Sequence, residues 1–283
     1  MLSYRHGYHA GNFADVLKHS VFMAVARYLQ QKKSPVLFVD THAGGGIYDL
    51  AHDYAKKTGE FEKGIGRLWP FADDMPDMLK PWAEIVQNVQ KGDSLSRYPG
   101  SPFFIRRSLR VQDRAVLFEL HSTEIKTLKQ GFRGNDKILA FHDDGLKGLR
   151  RMVPPRGPYE GMRPLTLVDP SYEIKTDYDD VPGAMLAAWK RAPQASFIIW
   201  YPVIDRERTE KMIRRYQRSG IKKLLRIEQG IAEDGAIRGM TAAGLLIINP
   251  PYVLADEARA ALPWLHEKLG AGGQYLVKEL VGE

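Results

Sequence analysis

The sequence of 283 residues contains no cysteine, which excludes disulfides, cysteine-ligated zinc or iron–sulfur centres, and a thiol nucleophile. Long apolar runs are also absent, because no stretch approaches the roughly 20 residues that a membrane-spanning helix needs. The N-terminal segment is polar and rich in histidine and lacks the apolar core of a secretory signal, so we expect a cytoplasmic protein. The hydrophobic content of 44% and the charged content of 27% are those of a folded globular chain.

Acidic residues are too few to balance the basic ones, since 34 Asp and Glu face 41 Lys and Arg and leave a net charge of +7. Such an excess favours a polyanionic partner, nucleic acid first. Most of it lies between Asp205 and Arg226, where nine basic and three acidic residues give a net charge of +6. Two interpretations stay open: a solvated helix face, or a track for a nucleic-acid backbone with Arg214 and Arg215 among its contacts.

Short apolar runs rich in β-branched residues alternate with helical patterns along the chain. Several runs are apolar at consecutive positions, which is typical of parallel strands covered by helices on both faces. The pattern predicts an α/β protein with a Rossmann-like, seven-stranded and mostly parallel sheet. The predicted strands are Val36–Asp40, Ala115–Leu120, Lys137–His142, Leu165–Asp169, Ser196–Tyr201, Lys222–Glu228 and Gly244–Asn249. The predicted helices include Asn12–Gln31, Asp177–Ala192 and Arg206–Ser219.

The first two predicted strands are unusually far apart, since Asp40 and Ala115 lie 75 positions from each other and a βαβ unit needs only about 30 residues. The surplus carries several proline-containing turns between short amphipathic pieces. We interpret residues 52–99 as a small helical insertion, with a long lid loop as the alternative. The chain is then one domain, residues 1–283, in which residues 1–35 form an N-terminal arm and helix.

A glycine-rich loop, Thr41-His42-Ala43-Gly44-Gly45-Gly46, directly follows the first predicted strand. Glycines at this place let the backbone turn tightly and approach a ligand. The loop is neither the G-x-G-x-x-G dinucleotide fingerprint nor a Walker loop, because no Gly-Lys-Ser/Thr follows. It resembles the first motif of S-adenosylmethionine-dependent methyltransferases, with Gly44 and Gly46 as candidate cofactor-contacting positions.

Acidic residues follow the second and third predicted strands at the edge where open α/β sheets bind ligands. Glu119 stands where a carboxylate can accept hydrogen bonds from both ribose hydroxyls, and Asp144, followed by Gly145, stands where a polar group can meet the adenine amino group. Each feature has a plainer explanation, since a glycine triplet is often a turn and a strand-end carboxylate often caps a helix. The features in correct strand order together favour a cofactor site.

The fourth predicted strand ends in Asp169-Pro170-Ser171-Tyr172, which resembles the (Asp/Asn/Ser)-Pro-Pro-(Tyr/Phe/Trp) motif of methyltransferases that modify exocyclic amino groups. The amino nitrogen of adenine is conjugated with the ring and is a poor nucleophile. A carboxylate and a turn carbonyl that accept its hydrogen bonds concentrate its lone pair on the methyl donor. We therefore predict Asp169 and Pro170 as catalytic positions, and Tyr172 as a catalytic and substrate-binding aromatic that stacks on a flipped-out base.

A second stretch, Asn249-Pro250-Pro251-Tyr252, matches the same motif more literally. It follows the last predicted strand, which lies away from the cofactor loop if the usual strand order 3-2-1-4-5-7-6 holds. The transfer motif must follow the fourth strand, which lies beside the first, to reach the methyl donor. Strand order therefore favours Asp169 over Asn249.

The N-terminal segment has the densest cluster of polar and aromatic residues in the chain. Four histidines, His6, His9, His19 and His42, suggest a metal, but their spacings match no compact zinc pattern, and we predict none. From Tyr4 onward the segment reads Y-R-H-x-x-H-A-G-N-x-A-D-V-L-K-H. Together with D-T-H-A-G-G-G, Y-P-G-S-P, D-P-S-Y-E, W-Y-P and R-G-M-T-A, it resembles the RlmJ family, the 23S ribosomal RNA (adenine-N6)-methyltransferases.

The resemblance spans nearly the whole chain and implies a class I methyltransferase with S-adenosylmethionine as its cofactor. It implies one adenine of 23S ribosomal RNA, naked or in a partly assembled large subunit, as the target; we expect a monomer. By motif position, the residues implied for the cofactor are His19, His42, Ser101, Glu119, Asp144, Gly145 and Asp169. Those implied for the substrate are Tyr4, His6 and Lys18, in an arm over the active site. Ser171 departs from the proline that is commoner in the family.

Two other functions stay open. A DNA adenine-N6 methyltransferase would use the same transfer motif, although the sequence contains no recognisable DNA-reading module. The second is a non-catalytic RNA-binding or ribosome-assembly protein on a methyltransferase fold. The intact Asp169, Tyr172, Glu119 and glycine loop count against it.

Overall fold

The computed structural model describes residues 6–282, apart from the side chains at positions 54 and 56. The strands in this part of the chain are β1 (Val36–Asp40), β2 (Ile47–Asp49), β3 (Arg97–Pro99), β4 (Arg114–Phe118), β5 (Ile138–Phe141), β6 (Arg163–Val168), β7 (Ser196–Val203), β8 (Leu224–Gly230), β9 (Ala242–Ile248) and β10 (Tyr275–Val281). The α-helices are α1 (Phe13–Gln30), α2 (Asp53–Thr58), α3 (Glu60–Lys63), α4 (Ile65–Leu68), α5 (Lys80–Asn88), α6 (Ser101–Ser108), α7 (Glu124–Gly131), α8 (Gly145–Met152), α9 (Asp177–Arg191), α10 (Arg206–Gln217) and α11 (Leu254–Lys268). Short 3-10 helices cover His6–Tyr8, Trp69–Asp74 and Gly157–Tyr159.

Eight of the strands form one sheet in the order β10-β8-β9-β7-β6-β1-β4-β5. The strands from β7 to β5 in this order pair in parallel, whereas β9 is antiparallel to both of its neighbours and β10 is antiparallel to β8. All seven strands predicted from the sequence are present, in the expected order. The prediction of an α/β, Rossmann-like fold is therefore confirmed.

The strand count of seven is one short, because β10 adds an eighth strand at the edge of the sheet. Its residues are exposed or only partly buried, and Lys278 and Glu279 interrupt its apolar residues. It therefore lacks the run of consecutive apolar residues that marks a strand covered on both faces. The sequence also does not predict β2 and β3, which have three residues each and pair antiparallel in a separate small sheet.

Helix α1 occupies the centre of one face of the sheet. It begins after Asn12, whose side chain accepts a hydrogen bond from the backbone N–H of Asp15 at 2.9 Å and so caps the helix. Nearly all its residues are buried, because it packs on β9 below and on α5 and α6 beside it. Helices α8, α9 and α10 cover the opposite face. This arrangement places the N-terminal end of α1 close to the carboxyl ends of the central strands.

Helices α2 to α5 lie between β2 and β3 in the chain and pack against the start of α1. The His9 ring and the Asn12 amide both hydrogen-bond to the Glu60 carboxylate at 2.9 Å. Gly64 approaches the chain so closely that a Cβ on it would lie 2.2 Å from the carbonyl oxygen of Gly11. These helices therefore hold the residues that precede α1.

The division of the chain into an arm, residues 1–35, and an insertion, residues 52–99, stays a prediction. In the part of the chain from residue 6 to residue 282, no helix is long and apolar enough to cross a membrane.

Candidate active site

A cavity of about 580 Å³ lies at the carboxyl edge of the sheet, over the ends of β1, β4, β5 and β6. Its volume is in the range of small-ligand sites, and this is the edge at which open α/β sheets bind ligands. It brings together most of the site residues predicted from the sequence: His6, Lys18, His19, His42, Gly44, Ser101, Glu119, Asp144, Gly145, Asp169 and Pro170.

Five predicted site residues are not among those that line the cavity. Tyr4 lies outside the described residues. Gly46 has a φ of +98°, and its carbonyl accepts a hydrogen bond from the backbone of Gly100 at 2.7 Å, so it shapes the loop. The other three are Tyr172, Arg214 and Arg215.

Tyr172 has a position different from the predicted one. Its φ is +52°, and its side chain, 5% exposed, points into the core below the turn. The hydroxyl donates to the carbonyl of Trp200 at 3.1 Å, and the ring lies 4.7 Å from that of Tyr178. A buried phenol gains a hydrogen-bond partner and aromatic contacts there, which the open cavity does not provide. In this conformation Tyr172 anchors the turn that carries Asp169 and does not face a substrate.

Asn249, in the more literal copy of the motif, lies at the opposite edge of the sheet, because β9 runs antiparallel to β7. Its amide donates to the carbonyls of Pro193 and Ala195, each at 2.7 Å. Both amide hydrogens are therefore used to hold the loop before β7, and the two copies of the motif are separated by the length of the strands.

A buried chain of charged groups joins α1 to Asp169. Lys18 Nζ lies 2.5 Å from Asp169 Oδ2 and 2.7 Å from Asp15 Oδ1. Asp15 Oδ2 in turn accepts hydrogen bonds from His6 Nε2 and from the backbone N–H of Gly11, both at 2.9 Å. Buried charges are tolerated when they are paired in this way, and breaking one pair leaves an uncompensated charge.

The protonation states along this chain follow from burial and charge. Burial works to raise the pKa of Asp15, but His6 and Lys18 hold it well below its usual range. Burial works to lower the pKa of Lys18, but the carboxylates of Asp15 and Asp169 hold it above its usual value. Burial raises the pKa of Asp169, and Lys18 opposes that rise. Of the two carboxyl groups in this chain of charged groups, Asp169 is therefore the one whose pKa is raised and whose ionised form burial disfavours.

Glu119 ties the glycine loop to the end of β4. Its Oε2 accepts a hydrogen bond from the backbone N–H of Gly44 at 2.7 Å, and its Oε1 accepts one from that of His121 at 2.6 Å. Gly44 has a φ of +64°, and a Cβ on it would lie 2.2 Å from the hydroxyl of Tyr48. The loop thus requires glycine at this position and a carboxylate at Glu119 to keep its shape.

Two of the histidines that line the cavity, His19 and His42, are neutral. Burial lowers the pKa of His19 well below its usual value and that of His42 to about 4. His19 Nδ1 lies 3.0 Å from the hydroxyl of Tyr98, whose oxygen also accepts a hydrogen bond from Trp82 Nε1 at 3.2 Å. Because an indole N–H only donates, the Tyr98 hydroxyl is free to donate to Nδ1, which leaves the proton of His19 on Nε2.

Asp144 and Gly145 join the cavity to the start of α8. Asp144 Oδ1 accepts hydrogen bonds from the backbone N–H groups of Leu146 and Lys147 at 2.9 and 3.3 Å, so the residue caps the helix while it lines the cavity. Gly145 touches the glycine loop so closely that a Cβ would lie 1.9 Å from the carbonyl oxygen of Thr41. Asp144 therefore both caps α8 and forms part of the cavity wall.

Three residues of the site are not found by the sequence reasoning. Asp15 has a weak signal, since it and Lys18 stand three positions apart in an apolar helix, where opposite charges pair when buried. Tyr48 has no signal; its hydroxyl accepts a hydrogen bond from the backbone N–H of Gly45 at 3.0 Å. The third is Asp40, at the end of β1, because the sequence does not indicate its complete burial. That burial raises the pKa of Asp40 to about 7.

The donors and acceptors of the cavity fit S-adenosylmethionine. Glu119 offers a carboxylate to hydroxyl groups, and Gly44 brings the backbone of the glycine loop to the cavity wall. Two neutral imidazoles add no positive charge beside a sulfonium, and the cavity wall also holds the carboxylates of Glu119, Asp144 and Asp169. Within residues 6–282, no group of three or more His, Asp or Glu side chains could hold a metal ion.

The basic stretch divides into internal and exposed members. Arg206 bonds Glu228 and Asp234 at 2.6 and 2.7 Å, and Arg226, 6% exposed, bonds Glu228 at 2.6 Å. Arg215 lies 2.6 Å from Asp179. The exposed members are Lys211, Arg214, Arg218, Lys222 and Lys223. Part of the positive charge therefore stabilises the fold and part of it faces solvent.

Comparisons with known proteins show the family of this chain. A family model described as ribosomal RNA large subunit methyltransferase D, RlmJ, matches residues 33–281. Ribosomal RNA large subunit methyltransferase J of Escherichia coli (strain K12) is 41% identical over 273 residues, which are 96% of this chain and 96% of that protein. The protein of the same name from Haemophilus influenzae is 38% identical over 270 residues, 95% of this chain and 94% of its own.

The fold also has a counterpart among solved structures. A crystal structure of a protein from Legionella pneumophila str. Philadelphia 1 superposes with a TM-score of 0.88 at 35% sequence identity. The match covers 96% of this chain and 98% of the other. The overall fold and the length of the chain thus agree with those of this solved structure.

Proposed function

The chain belongs to the RlmJ family of ribosomal RNA large subunit methyltransferases, and we propose that it transfers a methyl group from S-adenosylmethionine to the exocyclic N6 of one adenine in 23S ribosomal RNA. The observation that supports an amino group as the methyl acceptor is the buried ion pair between Lys18 and Asp169 at the edge of the cavity. It holds a carboxylate on the turn that follows β6, beside the strand that leads into the glycine loop.

The chemistry requires an electrophilic methyl group and a more nucleophilic amino nitrogen. S-adenosylmethionine supplies the methyl group on a positively charged sulfur. Asp169 accepts a hydrogen bond from the amino group, and Pro170 fixes the backbone of the turn so that its carbonyl can accept another. The nitrogen lone pair is then withdrawn from the ring and directed at the methyl group. Holding both reactants in line supplies much of the rate, on the order of 7–11 kcal/mol.

Lys18 keeps Asp169 ionised although the carboxyl is buried. Without a nearby cation, burial would favour the protonated acid, which donates its hydrogen bond and cannot accept one from the amino group. Asp15 and His6 position the ammonium from the other side. The amino proton leaves toward Asp169 or water during or after transfer. Tyr172 holds the turn from the core.

The remaining residues of the cavity are assigned to the cofactor. We propose that Glu119 binds the ribose and that Asp144 and Gly145 lie against the adenine of the cofactor. His19, His42, Ser101 and Gly44 are proposed to form the wall around its amino-acid part, and Gly46 keeps the shape of the loop that carries Gly44. Tyr4 and His6 belong to the arm that covers the substrate. The RNA is naked or in a partly assembled large subunit, and the enzyme acts as a monomer in the cytoplasm.

The test is to map methylated adenines by mass spectrometry in deproteinised 23S ribosomal RNA incubated with the protein and S-adenosylmethionine. One new N6-methyladenine in the RNA, and none in duplex DNA under the same conditions, is the expected result. Methylation of the DNA instead would favour the DNA adenine methyltransferase. Failure to bind S-adenosylmethionine in calorimetry would favour the non-catalytic RNA-binding alternative.

A further inference from the structure

A second cavity, of about 510 Å³, lies at the amino edge of the parallel strands, opposite the active site. We call it the Tyr252 cavity. Its walls come from the end of α1, the start of β6, the start of β8, the turn after β9 and the end of the chain. Its aromatic and charged lining residues include Tyr28, Lys32, Arg163, Lys223, Tyr252 and Glu279.

Tyr252 is the most distinctive residue of this cavity because an aromatic ring is rarely left so open. Its side chain is 82% exposed, and its ring contacts the ring of Tyr28 edge-on, at 5.8 Å between centres and 81° between planes. Exposed aromatic rings of this kind serve as stacking platforms for unpaired bases in proteins that bind single-stranded nucleic acid. The proline pair before Tyr252 restricts the backbone that carries it, and the edge-on contact with Tyr28 orients its ring, so less conformational entropy is lost when a base stacks on it.

The charge of the cavity suits a phosphate backbone. Lys32, Arg163 and Lys223 contribute three positive charges to its walls. Among the described lining residues the acidic side chain is Glu279, which lies 3.4 Å from Arg259, so the lining keeps more positive than negative charges. The side chain of Lys32 is exposed, at the turn between α1 and β1.

Helix α10 carries exposed basic side chains and runs between the same two edges of the sheet. Helix α10 starts at the carboxyl edge and its 12 residues span roughly 18 Å. On strand β6, Arg163 in the Tyr252 cavity and Asp169 in the active site are six positions apart, or roughly 20 Å. Lys211, Arg214 and Arg218 therefore lie along or just after a helix about as long as the distance between the two edges of the sheet, and the exposed basic residues continue with Lys222 and Lys223.

We propose that the Tyr252 cavity is a second RNA-binding site, in which an unpaired base flanking the target stacks on Tyr252 while neighbouring phosphates contact Lys32 and Lys223. The RNA strand follows the exposed face of α10 from the active site to this cavity. This inference rests on the proposed function, since it describes how the same RNA substrate is held. The site selects the surroundings of the target adenine and takes no part in methyl transfer.

The experiment measures kcat and KM for methylation of deproteinised 23S ribosomal RNA by the wild type, Tyr252→Ala, Tyr252→Phe and Tyr275→Ala. We expect Tyr252→Ala to raise KM about fivefold or more, as loss of one stacked base does, with kcat unchanged. Tyr252→Phe keeps the ring and should retain the wild-type KM. Tyr275, 43% exposed on the edge strand and away from the cavity, is the matched aromatic control and should have no effect.

A second variant tests the phosphate contact. Lys32→Glu should lower the salt dependence of RNA binding by roughly 0.7–0.9 in slope, while Lys129→Glu on α7, equally exposed, should leave it unchanged. Equal KM values for Tyr252→Ala and the wild type, or an unaltered salt slope in Lys32→Glu, would overturn the proposal. If the wild type itself fails to methylate the RNA, the proposed function fails; if it methylates and the variants behave like it, only the second site fails.

Discussion

Lys18 and Asp169 come from the first helix and the fourth parallel strand of the chain, and their side chains meet at 2.5 Å in the floor of the active site. The pair is buried, and Lys18 shares its ammonium with Asp15 at 2.7 Å. A lysine between two carboxylates leaves the triad with a net negative charge. That charge is available to the amino group of the substrate and favours a cationic methyl donor nearby.

Replacing Asp169 by Ala should reduce kcat by at least about 100-fold, because the amino group loses its acceptor. The measurement is methyl incorporation from labelled S-adenosylmethionine into 23S ribosomal RNA. Asn249→Ala is the matched control in the second copy of the motif. It should keep kcat and lower the free energy of unfolding by about 1–3 kcal/mol, because two backbone carbonyls lose their donor. Retained activity in Asp169→Ala would rule out its catalytic role.

Replacing Lys18 by Met should move the acidic limb of the pH–rate profile to higher pH. Burial raises the pKa of Asp169 and Lys18 opposes that rise, so removal of the cation raises the pKa further. Because the ionised acid is the active form, the fraction of active enzyme at neutral pH falls and recovers at alkaline pH. Lys18→Arg keeps the positive charge and should lower kcat without moving the limb. An unmoved limb in Lys18→Met would contradict the role of Lys18.

Replacing Glu119 by Ala should weaken S-adenosylmethionine binding by about tenfold or more. The carboxylate holds the backbone of Gly44 and of His121, and charge-assisted hydrogen bonds of this kind contribute about 1.5–3 kcal/mol each. Isothermal titration calorimetry of the variant measures the loss. Glu84→Ala, on the exposed side of α5, is the control and should bind the cofactor as the wild type does. Equal affinities in the two variants would remove Glu119 from the cofactor site.

Reversing the charge of Arg214 should weaken RNA binding and lower its salt slope by roughly 0.7–0.9, the change expected when one phosphate is no longer neutralised. Arg214 is exposed, whereas Arg215 is partly engaged with Asp179, so Arg215→Glu should have a smaller effect on the slope. Arg206→Glu serves as the contrast, because it breaks ion pairs with Glu228 and Asp234 and should lower the melting temperature instead. A slope that is the same in Arg214→Glu and the wild type would leave the exposed helix face without a role in RNA binding.

The sequence predicts the central sheet well because its strands follow a local rule. Strand β1 begins and ends at the predicted residues, Val36 and Asp40, since five consecutive apolar or strand-end residues lie between a proline and a glycine loop. Strand β10 does not follow that rule, because an edge strand needs no apolar residues on both faces. Local pattern therefore predicts the covered strands and fails at the edge.

The site is predicted in its residue types and less well in its side-chain directions. The motif around Asp169 places the acid correctly at the cavity, but the direction of Tyr172 depends on a carbonyl of Trp200, 28 positions later in the chain. The role of Asp15 likewise depends on His6 and Lys18 being brought together by the helix cap at Asn12. Such contacts arise only when distant elements pack, and no motif of a few residues encodes them.

Lys18 and Asp169 lie 151 positions apart in the chain, and this separation affects when the active site can form during synthesis. At ribosomal elongation rates, about 8 to 30 s pass between synthesis of the lysine and synthesis of the aspartate. The residues of α1, including Asp15, are already synthesised during that interval, but the catalytic pair cannot form until β6 joins β1. A nascent chain therefore acquires its active site in a late folding step, and chains that stop before β6 lack its central ion pair.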